Sequence, residues 1–103
     1  MFEKFDFGTG INYKYLDVQI NPNTPLSKQV DCLKEDMLQI NYQDHLTLDM
    51  GWYPEFSDEE SFVVVIILND DWENPLVKME CRDIFTLEQN LEECVSIIKS
   101  KTI

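Results

Sequence analysis

The feature that most constrains the fold is the uninterrupted apolar segment from Phe62 to Leu68, with the sequence FVVVIIL. Five of its seven residues are β-branched, which favours a strand over a helix. Because apolar side chains occupy both faces of this strand, it needs cover on both sides and is expected inside a sheet. The segment is far shorter than the roughly 20 apolar residues that a transmembrane helix requires, so we expect no membrane span.

Half-buried strands are predicted before and after this segment. Residues 45–53 alternate between apolar and polar side chains, which places Trp52 on the predicted core face. Residues 76–82 alternate in the same way and predict the following strand. The acidic stretch Glu55–Ser61 and the turn-rich stretch Asn69–Pro75 are interpreted as loops. Such short connections favour an antiparallel meander of three strands.

A further strand and a helix are predicted ahead of the meander. Residues 11–20 alternate with a phase slip between Tyr15 and Leu16, which indicates a strand with a bulge or bend. After the turn sequence Asn-Pro-Asn-Thr-Pro, Thr24 and Pro25 supply an N-cap and a first helical residue. The apolar residues that follow recur at helical spacing and predict an amphipathic helix of about three to four turns. They are Leu26, Val30, Leu33 and Met37.

The C-terminal segment predicts a second amphipathic helix. Thr86 and Gln89 have the spacing of a capping box, and Lys99 and Lys101 fall near the negative end of the helix. The predicted element order is β-α-β-β-β-α. These elements predict a single α+β domain over residues 1–103, with both helices on one face of an antiparallel sheet.

The composition is strongly acidic, since 20 Asp and Glu against 8 Lys and Arg give a formal net charge of −12. This charge disfavours nucleic acid and anionic membranes and favours a basic protein partner. The N-terminal residues lack the basic start and apolar stretch of a secretory signal, which predicts a cytoplasmic location. Cys32, Cys81 and Cys94 lack the spacing of a redox or metal motif and are expected to be free thiols.

The acidic residues are concentrated in the middle of the chain, because no Lys or Arg occurs between Lys34 and Lys78. Tyr53 and Trp72 lie within this region and are candidate aromatic anchors, with the carboxylates around them steering a cationic partner. The predicted partner-binding residues are Asp49, Tyr53, Glu55, Asp58, Glu59, Glu60, Asp70, Asp71, Trp72 and Glu73. The group around Tyr53 and the group around Trp72 begin at opposite ends of the apolar strand, so they need not be adjacent.

Catalytic and metal-binding signatures are sparse. His45 is the single histidine, and no Ser or Cys lies at a spacing that defines a nucleophile and its base. Three glycines do not form a phosphate-binding loop. Asp49, Asp70 and Asp71 would offer carboxylates for a metal ion, but the calcium-loop pattern is absent. We therefore expect no catalytic residue, no metal site and no cofactor.

Four stretches of the sequence carry a family resemblance, over roughly residues 46–100. LTLDMGWYPEF, FVVVIIL, NDDWENPL and the final amphipathic helix resemble small bacterial immunity proteins of polymorphic toxin systems, such as contact-dependent growth inhibition immunity proteins. The resemblance implies an antitoxin that neutralises a cognate toxin, often a nuclease, by covering its active site or another essential surface. A nuclease attracts phosphates with Lys and Arg, so an acidic protein is suited to bind the same surface.

Two other classes of protein remain open from the sequence. One is a non-catalytic interaction or self-associating domain of another role, and the other is an enzyme or metal protein. A toxin-encoding reading frame immediately upstream would favour the antitoxin. The sequence does not identify the toxin or the oligomeric state.

Overall fold

The computed structural model describes residues 6–8, 12–16, 20–21, 23–53 and 61–101. Its regular elements are strands β1 (Asn12–Leu16), β2 (Leu38–Asn41), β3 (Leu46–Tyr53), β4 (Ser61–Leu68) and β5 (Val77–Cys81), and helix α1 (Ile84–Lys101). The strands form one antiparallel sheet in the order β1-β2-β3-β4-β5. The predicted α+β class and antiparallel sheet are confirmed.

The apolar segment forms β4, which lies inside the sheet between β3 and β5. All eight residues of β4 pair with β3, from Tyr53 opposite Ser61 to Leu46 opposite Leu68. Trp52 is fully buried, and its ring meets the Phe62 ring edge-on at a centroid distance of 4.7 Å. Trp52 is therefore a core residue, as the alternation predicted.

Helix α1 covers one face of the sheet, and its buried residues join the even-numbered residues of β3 and β4 in the core. The helix begins at Ile84, because the Asp83 carboxylate accepts a hydrogen bond from the Thr86 N–H at 2.7 Å. The N-cap is therefore Asp83, three residues before Thr86, which the predicted capping box placed at the start of the helix. No helix in the described part of the chain combines the length and apolarity needed to cross a bilayer.

The first predicted helix is absent, which corrects the two-helix arrangement. Residues 23–37, here called the connecting segment, instead contain two 3₁₀ turns at Leu26–Lys28 and Val30–Cys32. The Gln29 side chain donates to the Asn21 and Thr24 carbonyls at 2.9 and 2.8 Å, which ties these turns together without helical hydrogen bonds. Four apolar residues of the segment still pack on the core as the spacing predicted: Leu26, Val30, Leu33 and Met37.

The sheet also contains a strand that the sequence did not predict. The Met37 N–H donates to the Met50 carbonyl at 3.3 Å, and β2 then pairs with β3 from Leu38 opposite Met50 onward. The element order is therefore β-β-β-β-β-α. In β1 the register slips between Tyr13 and Tyr15, two residues earlier than the predicted irregularity.

The second face of the sheet, away from α1, is here called the distal face. It carries the odd-numbered residues of β3, which the alternation predicted to be only partly covered. Thr47 and Asp49 are instead 4% and 7% exposed. The half-buried strand predicted for residues 45–53 is thus buried along most of its length, and only Tyr53 at its end is exposed.

Candidate functional site

Tyr53 stands at the end of β3 on the distal face, with 41% of its surface exposed. Its surroundings are set by Gly51, two residues earlier on the same face. A Cβ at Gly51 would lie 1.9 Å from the Glu35 carbonyl oxygen, so only glycine allows the chain to pass so closely over β3. The Trp52 N–H donates to the Lys34 carbonyl at 2.7 Å and holds this part of the connecting segment in place.

The close approach brings Glu35 and Asp36 near the Tyr53 hydroxyl, where Asp49 on β3 already contributes a carboxylate. The pKa of Tyr53 is raised above its usual value, first by burial of part of the ring and then by the negative charges of Asp49, Asp36 and Glu35. The four residues are here called the Tyr53 cluster. Because an exposed aromatic ring lies within a negative potential, the cluster is suited to bind a cationic side chain.

Asp49 is anchored within the cluster by its neighbour on β2. The Gln39 amide donates to the Asp49 carboxylate at 2.9 Å, and both side chains are buried. Gln39 on β2 and Asp49 on β3 are register partners, so this hydrogen bond links the two neighbouring strands. A hydrogen-bonded carboxylate keeps one position, which pre-organises the acidic side of the cluster.

The remaining predicted residues fall into two groups. Asp70, Asp71, Trp72 and Glu73 follow the far end of β4 and are exposed, with Trp72 at 47%. The length of β4 separates them from Tyr53 by roughly 25 Å, so the two halves of the predicted site form separate surfaces. Glu55, Asp58, Glu59 and Glu60 lie outside the described residues.

Glu35 and Asp36 are site residues that the sequence reasoning missed. Both fall between the apolar positions of the predicted helix, away from its core face, whereas the structure places them where their charges act on Tyr53. Gly51 carried the available signal, because a glycine inside a strand often marks the close approach of another backbone. The glycine alone does not show which segment of the chain makes this approach.

His45 is a turn residue and not the first residue of the strand, which corrects its predicted place. It ends the 3₁₀ turn Gln43–His45 between β2 and β3, with a left-handed backbone at φ 61°. Its side chain is exposed and lines a pocket with Asp70. Within the described ranges, no group of three or more His, Cys, Asp and Glu residues is placed to hold a metal ion.

No protein-family model matches the chain, and neither a curated protein nor a solved structure matches it. The function must therefore be argued from the residues and the geometry of the site.

Proposed function

We propose that the protein is an antitoxin of the immunity-protein kind, which binds and neutralises a basic toxin domain, such as a nuclease, in the cytoplasm. The observation that carries this proposal is the Tyr53 cluster: an exposed tyrosine whose hydroxyl lies in the field of Asp49, Asp36 and Glu35. Tyrosine is enriched among residues that dominate interface energy, and nearby carboxylates favour Lys or Arg on the partner.

The net charge of −12 supports the same proposal at long range. A nuclease domain presents cationic side chains where it binds phosphate groups, so the acidic protein is attracted to the surface that must be covered. Neutralisation of this kind needs complementary charge and shape but no catalytic group. The resemblance to immunity proteins adds to this argument.

The proposal is tested by co-expressing the protein with the product of the reading frame immediately upstream of its gene, where the antitoxin function predicts a toxin domain. We expect a stable complex, rescue of growth, and a Kd that rises at least about tenfold for Tyr53→Ala. Phe85→Ala is the matched control, because Phe85 is 70% exposed but lies at the start of α1, outside the cluster. No complex and no rescue would reject the antitoxin function. Equal Kd values for the Tyr53→Ala and Phe85→Ala variants would show that the toxin domain does not bind at the Tyr53 cluster.

A self-associating interaction domain is the second candidate. Three large apolar side chains are exposed at the end of β4 and in the connection from β4 to β5: Leu68, Trp72 and Leu76. Exposed apolar side chains that form one patch are typical of a contact surface. Sedimentation analysis of the isolated protein separates the candidates, because self-association through this turn would be lost in Trp72→Ala, whereas an antitoxin needs no second copy.

A further inference from the structure

A second site lies at the opposite end of the distal face from Tyr53. Two turns meet there, the β2–β3 turn and the turn that follows β4, and the Asn69 N–H joins them by donating to the His45 carbonyl at 3.0 Å. Between them is a pocket of about 320 Å³. It is lined by Asn41, Tyr42, His45, Leu46, Thr47 and Asp70.

The backbone around the pocket is fixed by two tight turns. His45, Asn69 and Asp70 all have left-handed conformations, with φ of 61°, 56° and 58°. His, Asn and Asp are the non-glycine residues that adopt this region most readily, and Asn69 and Asp70 form the centre of a tight turn that the Asp71 N–H closes by donating to the Leu68 carbonyl at 3.1 Å. The Thr47 hydroxyl donates to the Asn41 side-chain oxygen at 3.2 Å, which fixes one wall of the pocket. The polar groups are therefore pre-organised.

The lining side chains select the class of ligand. Among the lining residues, Asp70 carries a carboxylate and Asn41 an amide, and Tyr42 and His45 carry planar rings. A carboxylate with planar rings suits a guanidinium group, which forms paired hydrogen bonds and stacks on rings. The volume lies at the lower limit of ligand pockets, so it fits one side chain better than a larger molecule.

We propose that this pocket binds the guanidinium group of an arginine side chain presented by a protein partner. Asp70 forms the charged hydrogen bonds, and the rings of Tyr42 and His45 flank the guanidinium plane. The site is separate from the Tyr53 cluster and does not require that the partner is a toxin.

The test is an NMR titration of the ¹⁵N-labelled protein with N-acetyl-L-argininamide. We expect the backbone amides of His45, Asn69 and Asp70 to shift, and Asp70→Asn to weaken binding at least about tenfold by removing a charge-assisted hydrogen bond. Asparagine tolerates the left-handed backbone as aspartate does, so the turn is retained. Asp71→Asn is the matched control, because the Asp71 carboxylate lies by Asn74 at 3.4 Å and does not line the pocket.

The unaltered protein supplies a second measurement, so the proposal stays testable if Asp70→Asn misfolds. N-acetyl-L-citrullinamide has the shape of the arginine compound without its charge and should shift these amides little. Equal binding of the two compounds, or unchanged affinity in Asp70→Asn, would overturn the proposal. Shifts confined to Glu35, Asp36 and Tyr53 would overturn it while leaving the Tyr53 cluster intact. Tighter binding of free arginine than of N-acetyl-L-argininamide would indicate that the ligand is a free amino acid. That result would overturn the proposal that a protein partner presents the arginine.

Discussion

At the scale of single residues, Gly51 determines which side chains surround Tyr53. The glycine leaves room for the Glu35 backbone on the distal face of β3, and this passage brings Glu35 and Asp36 into the field of the Tyr53 hydroxyl. Neither acid is near Gly51 in the sequence. A residue without a side chain thus positions the charges of the candidate site.

Gly51→Ala should destabilise the protein and disperse the Tyr53 cluster. Its Cβ would lie 1.9 Å from the Glu35 oxygen, and because the obstacle is backbone, the connecting segment must move. We expect the free energy of unfolding in urea to fall by about 2 kcal/mol or more. The pKa of Tyr53 should fall toward its usual value as the carboxylates move away, measured as the tyrosine titration of the variant.

Ser61→Thr is the control for this prediction. Ser61 is the half-buried register partner of Tyr53 on β4, and the change also adds one carbon at this end of the sheet. It should change the stability and the Tyr53 titration much less. A Gly51→Ala variant as stable as the unsubstituted protein would show that Glu35 does not pack on β3 as described.

At the scale of elements, α1 is held to the sheet by a closely packed interface that includes two thiols. Cys94 on α1 and Cys81 on β5 are buried, whereas Cys32 in the connecting segment is only partly covered. All three are free, as the sequence predicted. Burial, and to a lesser extent the charge of Glu93, raises the pKa of Cys94 to about 11.

This raised pKa predicts a loss of stability at alkaline pH. A free thiol has a pKa of about 8.5, so the folded state retains a proton that the unfolded state releases between about pH 8.5 and 11. The contribution of Cys94 is fully present below about pH 8.5 and is lost as the pH rises through this window. Urea unfolding from pH 8 to 10.5 should show a steeper decline for the unsubstituted protein than for Cys94→Ala.

Thiol labelling of the native protein checks the same packing independently. Cys32 should react with a thiol reagent first, and Cys81 and Cys94 only after denaturation, because the thiolate must be solvent-accessible to react. Equal pH slopes for both proteins, together with rapid labelling of Cys94, would contradict the described packing of α1.

At the scale of the whole molecule, the charge distribution provides two acidic surfaces at opposite ends of the sheet. One is the Tyr53 cluster, and the other is the turn Asp70–Glu73 with the exposed Trp72. Exposed charges act over the Debye length, about 10 Å at 0.1 M salt and about 3 Å at 1 M. Attraction of a basic partner should therefore depend strongly on salt.

We expect the association rate with a basic partner to fall steeply between 0.1 and 1 M salt, measured by stopped-flow fluorescence. Neutralising Asp70, Asp71 and Glu73 together should slow association, whereas Trp72→Ala should mainly speed dissociation by removing packed apolar surface.

The matched control neutralises three acids on α1: Glu88, Glu92 and Glu93. Both triple variants change the net charge from −12 to −9, which is −12 plus 3. If the α1 variant slows association as much as the turn variant, total charge and not location governs the encounter. An association rate insensitive to salt and to both variants would contradict steering altogether.

Local patterns in the sequence determined four elements, namely β3, β4, β5 and α1. The β-branched run required β4, the alternation required β3 and β5, and the apolar spacing required α1, because each pattern has the period of one element. The sequence also determined which residues of the connecting segment pack on the core, with Leu33 and Met37 buried and Leu26 and Val30 partly buried. Burial follows from apolar character, whatever the backbone conformation.

The tertiary structure alone decided the form of the connecting segment and the composition of both candidate sites. Residues 26–37 have a helical spacing, but the backbone hydrogen bonds of Lys34 and Met37 to β3 and the side-chain hydrogen bonds of Gln29 hold the segment in a non-helical form. The meeting of Glu35 with Tyr53, and of His45 with Asp70, joins residues distant in the chain. Such contacts depend on register and turn geometry across the whole sheet, which no local period encodes.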